Sequence, residues 1–258
     1  MRRDDIKGIF VDLGGTFRIV NKNKPYSDAA KARIAELVGA DMTPEDFHTL
    51  IEERYEIYRK WVFKYMCEAP EDMLWTRWLA PEYDKERLIK NAPELTYQYR
   101  RAKGERLIVP GGVETILELH ARGYTLGIVS NLIGCSEIDE WLDKENLRQY
   151  FSAVQQSSVT FIRKPHPALF FLALREAGLR PEETVFIGDN MVQDLEGPTE
   201  AMLAAVVAVD YDEDKPLKLL PDKMPDIIIK RFDQLLDIFP GAPLMTDDVV
   251  TVAEATKE

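Results

Sequence analysis

The chain has 258 residues, 45% hydrophobic and 30% charged, which is enough for a sizeable core and typical of a soluble globular protein. Its formal net charge of −12 argues against a nucleic-acid partner, although a metal ion can set the opposite sign inside an acidic pocket. No apolar run approaches the ~20 residues of a membrane span, no signal-peptide core follows Met1, and Cys67 and Cys135 lack metal-type spacing, so the expected setting is a reducing cytoplasm with no membrane partner.

Gly8 to Val11 is a short apolar run that leads into Asp12, two glycines and Thr16. It reads as a buried strand with a carboxylate at its carboxyl end, and taken alone it also reads as a plain strand-end turn. Phe17 to Lys24 is polar and reads as a turn or flap. From Pro25 to about Leu107 the pattern is helical, with almost no strand signal. Ser27 is the expected cap of a helix over 28–38 closed by Gly39, and Thr43-Pro44-Glu45-Asp46 opens another that runs to near Cys67. Helices over 72–79 and 85–101 follow, with Pro93 as a candidate break in the second. The expected organisation is a helical cap over 21–107, inserted into a core made of 1–20 and 108–240, with 241–258 an unpatterned tail.

Beyond Pro110 the rhythm changes. Strands are expected over 125–129, 153–155, 184–187, 204–209 and 227–229, and helices over 113–121, 137–144, 167–177, 194–202 and 232–239. Alternation of this kind predicts an α/β fold with a doubly wound parallel sheet. In such a sheet the carboxyl ends of the strands share one edge. Asp12, Ser130-Asn131 and Gly188-Asp189 fall at three of those ends, and Lys164 sits in a loop before a helix. A carboxylate nucleophile, a hydroxyl, a lysine and a second carboxylate suit covalent phosphoryl transfer. Asp12 would attack phosphorus, Ser130 and Lys164 would stabilise the transferring charge, and Asp12 with Asp189 would hold Mg²⁺, which prefers oxygen ligands.

The chain resembles the haloacid dehalogenase (HAD) superfamily. Its first motif, an apolar strand running into Asp-x-Asp-x-Thr, corresponds to Phe10-Val11-Asp12-Leu13-Gly14-Gly15-Thr16. The second falls on Ile128-Val129-Ser130-Asn131, the third on Arg163-Lys164-Pro165, and the fourth on Gly188-Asp189 with Asp194 after four spacers. The helical insert resembles the family's C1 type of cap. The resemblance implies an α/β Rossmannoid core, catalytic roles for Asp12, Thr16, Ser130, Asn131 and Lys164, and Mg²⁺ held by Asp12, the Gly14 carbonyl and Asp189, with Asp194 as a further ligand or anchor. It implies a small phosphorylated or phosphonylated metabolite as substrate.

The chain departs from the family pattern at Gly14, where the phosphatases usually carry the aspartate that protonates the leaving oxygen. Loss of a general acid is typically worth ~10²–10⁴ in rate, so substrates with good leaving groups are favoured. The superfamily's phosphonatases carry a small residue there and use a cap lysine. Lys60 and Lys64, one helical turn apart, are the candidates, against the plainer expectation that both are solvated. His48 and His166 are read as surface histidines before acids, Arg100 to Arg106 as an exposed helix end before an anion site, and Trp61, Phe63, Tyr65, Trp75 and Trp78 as cap core. Besides a Mg²⁺-dependent hydrolase, a non-catalytic Mg²⁺- and phosphate-binding protein and a metal-free 2-haloacid dehalogenase remain as readings.

Overall fold

The computed structural model describes residues 5–211 and 216–241, so the expected tail, beyond Gly241, lies outside the described residues. In chain order, β1 (Gly8–Val11) and β2 (Arg18–Asn21) are followed by α1 (Lys24–Val38), α2 (Pro44–Tyr65), α3 (Glu71–Met73), α4 (Lys85–Ala102) and β3 (Glu105–Ile108). Next come α5 (Gly112–Ala121), β4 (Thr125–Ser130), α6 (Glu137–Lys144), β5 (Phe151–Gln156), α7 (Ser157–Thr160) and α8 (Ala168–Ala177). The chain continues through β6 (Thr184–Gly188), α9 (Met191–Asp194), α10 (Glu196–Glu200), β7 (Ala205–Val209), β8 (Ile227–Ile229) and α11 (Leu235–Ile238).

Six strands make one parallel sheet in the order β5-β4-β1-β6-β7-β8. β1 lies at its centre, and the chain winds outward from it in both directions, so β1 marks a topological switch point. Successive side chains of a strand face opposite ways. Ile9 and Val11 therefore pack with Ile116, Leu119, Ile138 and Leu142 of α5 and α6, whereas Phe10 packs with Leu169 and Phe170 of α8. Both faces are covered, which is why β1 reads as a continuous apolar run rather than an alternating one.

The helices between β2 and β3 carry a hydrophobic cluster of their own, which includes Ile34, Phe47, Tyr58, Trp75, Leu95 and Tyr99. Helix α2 starts where the sequence marks it: Thr43 Oγ1 accepts from the Asp46 N–H at 3.2 Å. Helix α1 starts earlier than expected, because Asn23 and not Ser27 is its cap, with Oδ1 accepting from the Tyr26 N–H at 3.2 Å. A wide-turned helical stretch, Leu74–Leu79, continues α3. Helix α4 runs through Pro93 without ending, its Leu88, Ala92, Leu95 and Tyr99 face buried in the cluster. Of the expected aromatic stripe, Trp75 is fully buried and Trp61 and Trp78 pack at the cluster's edge. Phe63 and Tyr65 are exposed, Tyr65 touching the Trp61 ring and Phe63 the Arg163 guanidinium.

The segment read as a polar flap is strand β2, and it pairs antiparallel with β3, a strand the sequence pattern does not announce. Four residue pairs, from Arg18↔Ile108 to Asn21↔Glu105, are too few and too charged to show a period-two signal. The expected exposed helix end over 100–106 is divided accordingly: α4 stops at Ala102, and Glu105 and Arg106 belong to β3. The expected helix over 194–202 is α9 and α10, split at Leu195, and that over 232–239 is a 3₁₀ turn leading into α11. Among the described residues no helix is long and apolar enough to cross a membrane.

Candidate active site

Strand register brings the reactive residues together. Val11 lies opposite Ile128 on one side and Ile187 on the other, and the Asp12 N–H donates to the Ile187 carbonyl at 2.8 Å. Asp12, Ser130 and Asp189 thus leave the sheet at one edge, on three neighbouring strands. Ser130 Oγ donates to Asp12 Oδ1 at 2.9 Å, and Lys164 Nζ lies 2.9 Å from the same oxygen and 2.7 Å from Asp194 Oδ1. Thr16 Oγ1 donates to Asp189 Oδ1 at 3.3 Å. Asp12, Asp189 and Asp194 each offer an oxygen within 4.8 Å of the others.

The backbone is shaped to allow this approach. Gly15 has φ +81°, a conformation that favours glycine, and a Cβ there would stand 2.2 Å from Asp189 Oδ2. Gly14 differs: it is exposed, its φ is ordinary, and a Cβ would meet nothing within 4 Å. The space next to Asp12 that an acid could occupy is open.

Three carboxylates sharing a buried site repel one another. Burial, with the charges of Asp12 and Asp194, pushes the Asp189 carboxyl up to about 7. Burial pushes Asp194 up to about 6, against the pull of Lys164. Burial alone would lower the Lys164 ammonium, but Asp12 and Asp194 hold it above its ordinary value. The single lysine leaves an excess of negative charge in an all-oxygen donor set, which fits a small hard divalent cation.

Asn131 sits beside the cluster and clamps the lysine's backbone. Its Oδ1 accepts from the Lys164 N–H at 2.9 Å, and its Nδ2 donates to the Lys164 carbonyl at 3.0 Å and to Gln193 Oε1 at 2.8 Å. Lys60 and Lys64 are exposed on α2, where the Lys64 ammonium lies 5.1 Å from the Tyr65 ring centre, and no ion pair or hydrogen bond joins either to the carboxylates among the described residues. His166 Nδ1 accepts from the Ala168 N–H at 3.2 Å, and half-buried His48 lies 3.8 Å from Glu52 within the helical block.

Sequence reasoning passed over three neighbours. Tyr211 donates to the Thr16 carbonyl at 2.9 Å, and Gln193 supports Asn131. Buried Glu68, three residues beyond α2, accepts from Tyr58 OH, pairs with Arg163, and accepts from Ser157 Oγ at 3.0 Å, which in turn accepts from the Leu132 N–H at 2.9 Å. Glu68 therefore ties the helical block to the loops that carry both Ser130 and Lys164. Only Arg163, next to Lys164, had a local mark. The others act through partners remote in sequence.

A family model described as haloacid dehalogenase-like hydrolase matches residues 9–208. The glyceraldehyde 3-phosphate phosphatase of Pyrococcus furiosus is 28% identical over 246 residues, which is 92% of this chain and 94% of that protein. The phosphoserine phosphatase of Thermus thermophilus is 28% identical over 261 residues, covering 91% of this chain and 98% of that one. In structure, the 2-haloacid dehalogenase from Pseudomonas syringae pv. Tomato DC3000 superposes with TM-score 0.67 at 21% identity, over 91% of this chain and 98% of that one. A HAD phosphatase from Thermococcus onnurineus superposes with TM-score 0.59 at 20% identity, over 93% and 100%. These two structures share the fold.

Proposed function

The chain belongs to the haloacid dehalogenase-like hydrolase family, and from that membership we propose that it is a Mg²⁺-dependent phosphohydrolase of a small phosphorylated metabolite, acting through an aspartyl phosphate on Asp12. The observation that carries this reading is the meeting of Ser130 and Lys164 on one oxygen of Asp12, beside Asp189 and Asp194. The names of the relatives, phosphatases of glyceraldehyde 3-phosphate and phosphoserine, support the substrate class. The helical block over 21–107 acts as the cap over a core formed by 1–20 and 108–240.

Asp12, the Gly14 carbonyl and Asp189 would hold Mg²⁺, with Asp194 beside them. When bound, the ion neutralises charge on the phosphoryl group. The Asp12 carboxylate attacks phosphorus while the bond from phosphorus to the leaving oxygen breaks. Lys164 and Ser130, already fixed on Asp12, orient it and stabilise the negative charge on the phosphoryl oxygens. Asn131 keeps Lys164 in place through its backbone, and Thr16 holds Asp189. Water then attacks phosphorus, the Asp12–phosphorus bond breaks, and inorganic phosphate leaves with Asp12 restored.

Gly14 sets the preference among substrates. With no acid beside the leaving oxygen, acyl and aryl phosphates, whose leaving groups depart as anions, are hydrolysed faster than alkyl phosphates. Lys60 and Lys64, exposed on α2, carry no role in this scheme. The test is a panel of acyl, aryl and sugar phosphates with phosphonoacetaldehyde, assayed with and without Mg²⁺. The expected result is Mg²⁺-dependent phosphate release that Asp12→Asn abolishes. Turnover unchanged in Asp12→Asn removes the nucleophile assignment. The open space at Gly14 favours a second reading, binding of Mg²⁺ and phosphate without turnover, and rapid hydrolysis of an aryl phosphate excludes it.

A further inference from the structure

A cavity of about 730 Å³ opens beside the β2–β3 ribbon, lined also by residues of α1, α4 and α6. Its lining includes none of Asp12, Ser130, Lys164, Asp189 or Asp194. Four guanidiniums face it: Arg18 from β2, Arg100 and Arg101 from the end of α4, and Arg106 from β3. One half-buried carboxylate answers two of them. Glu137 pairs with Arg18 at 3.0 Å and with Arg100 at 2.9 Å.

The other two have no carboxylate among the described residues. Arg106 donates only to backbone carbonyls, those of Arg100 and Gly104, and Arg101 donates to Gln98 Oε1 at 3.3 Å and lies over the Tyr26 ring at 4.3 Å. Arg18 is 2% exposed, and its Nε is buried with no hydrogen-bond partner among the described residues. The Arg101 Nε is unpartnered in the same way. Glu105, Glu140 and Glu145 also line the cavity, but no ion pair joins them to the four guanidiniums. Burial, and then repulsion from Arg100, pull the Arg106 guanidinium down to about 9, against the opposite pull of Glu137. Burying unpaired donors and like charges costs stability unless an anion completes the set.

We propose that this cavity is a second binding site, separate from the carboxylate cluster, for a small anion carrying two or more linked phosphate groups. Guanidinium forks bind phosphate oxygens in pairs, and the spread of four along three elements suits a ligand longer than one phosphate. The volume lies within the range of small-molecule sites. Its walls come from the helical block, the ribbon and α6, so a bound ligand bridges the joint between the two hydrophobic clusters.

The test is titration of pyrophosphate into the full chain without Mg²⁺, followed by calorimetry and by tryptophan fluorescence, since Trp141 lines the cavity. Saturable binding is expected, tighter than for orthophosphate, and retained in Lys164→Ala, which removes the cation of the carboxylate cluster. The pair Arg101→Gln and Arg106→Gln is expected to weaken it by ~10-fold or more, the worth of a charge-assisted hydrogen bond. Arg101→Gln alone, at a half-buried position, gives the same direction should the pair fail to fold. Absence of saturable binding, equal affinity for orthophosphate, or binding lost in Lys164→Ala and kept in the arginine variants overturns the proposal. Binding is the readout, so the result stands apart from whether the chain hydrolyses any phosphate.

Discussion

Gly14 and Asp189 are single residues whose chemistry is open to direct measurement. An aspartate at position 14 meets no atom within 4 Å at its Cβ and needs no left-handed backbone. Gly14→Asp is therefore expected to change stability by no more than ~0.5 kcal/mol. It should raise kcat/KM for a sugar phosphate by ~10²-fold or more, by supplying the missing acid. An unchanged kcat/KM assigns the limitation to something other than proton supply. Asp189 predicts a pH dependence. Without a cation its carboxyl is pushed up to about 7, so below that pH it is protonated and a divalent ion must displace the proton. Mg²⁺ affinity is expected to rise from pH 6 to pH 8 and then level off, with proton release seen by calorimetry in buffers of different ionisation enthalpy. An affinity flat across that range contradicts the prediction. Asp12, Ser130, Lys164 and Asp189 were legible as candidate site residues at strand ends or before a helix. Tyr211, Gln193 and Glu68 were not, because each works through a partner that only folding brings near.

At the scale of elements, the ribbon β2–β3 and its anchorage to α6 depend on charge. Burial alone would raise the Glu137 carboxyl, but Arg100 and Arg18 hold it down to about 2. A folded pKa below the unfolded one means that Glu137 stabilises the fold above ~4.5. That contribution is lost as pH falls toward about 2. Glu137→Gln is expected to cost ~3 kcal/mol at neutral pH, since it leaves Arg18 buried and unpaired. In denaturant melts the gap between wild type and variant should close as the solution is acidified, and a gap independent of pH argues against the pairing. At α1, Asn23→Ala should cost ~1 kcal/mol and Ser27→Ala far less, because Asn23 is the residue that caps the helix. Thr43 was readable as a cap from the proline and acids that follow it. Asn23 was passed over although Pro25 in the first turn is the same kind of mark, because Ser27 with Asp28 after it offers a competing one.

Across the described residues, the hydrophobic cluster of the helical block and the one between β1 and α5–α6 are joined by a thin ribbon and a buried polar clasp at Glu68. Glu68→Ala removes the partner of Arg163 and of Tyr58 OH, and it is expected to cost ~3 kcal/mol or more. Amide exchange should quicken over 131–136 and 157–164 while β1 and β6 stay protected, and equal quickening throughout would point to global destabilisation. The alternating pattern of strands and helices, the helical insert and the order of the four motifs are properties of the sequence alone, because apolar period and turn chemistry are local. They determined the sheet, its winding and the family. Tertiary structure alone decided which groups touch: that Lys164 bridges Asp12 and Asp194, that Asn131 serves the lysine's backbone, and that Arg18 and Arg100 share Glu137. Those outcomes depend on register and on the angle between packed elements, quantities that arise only when distant segments meet.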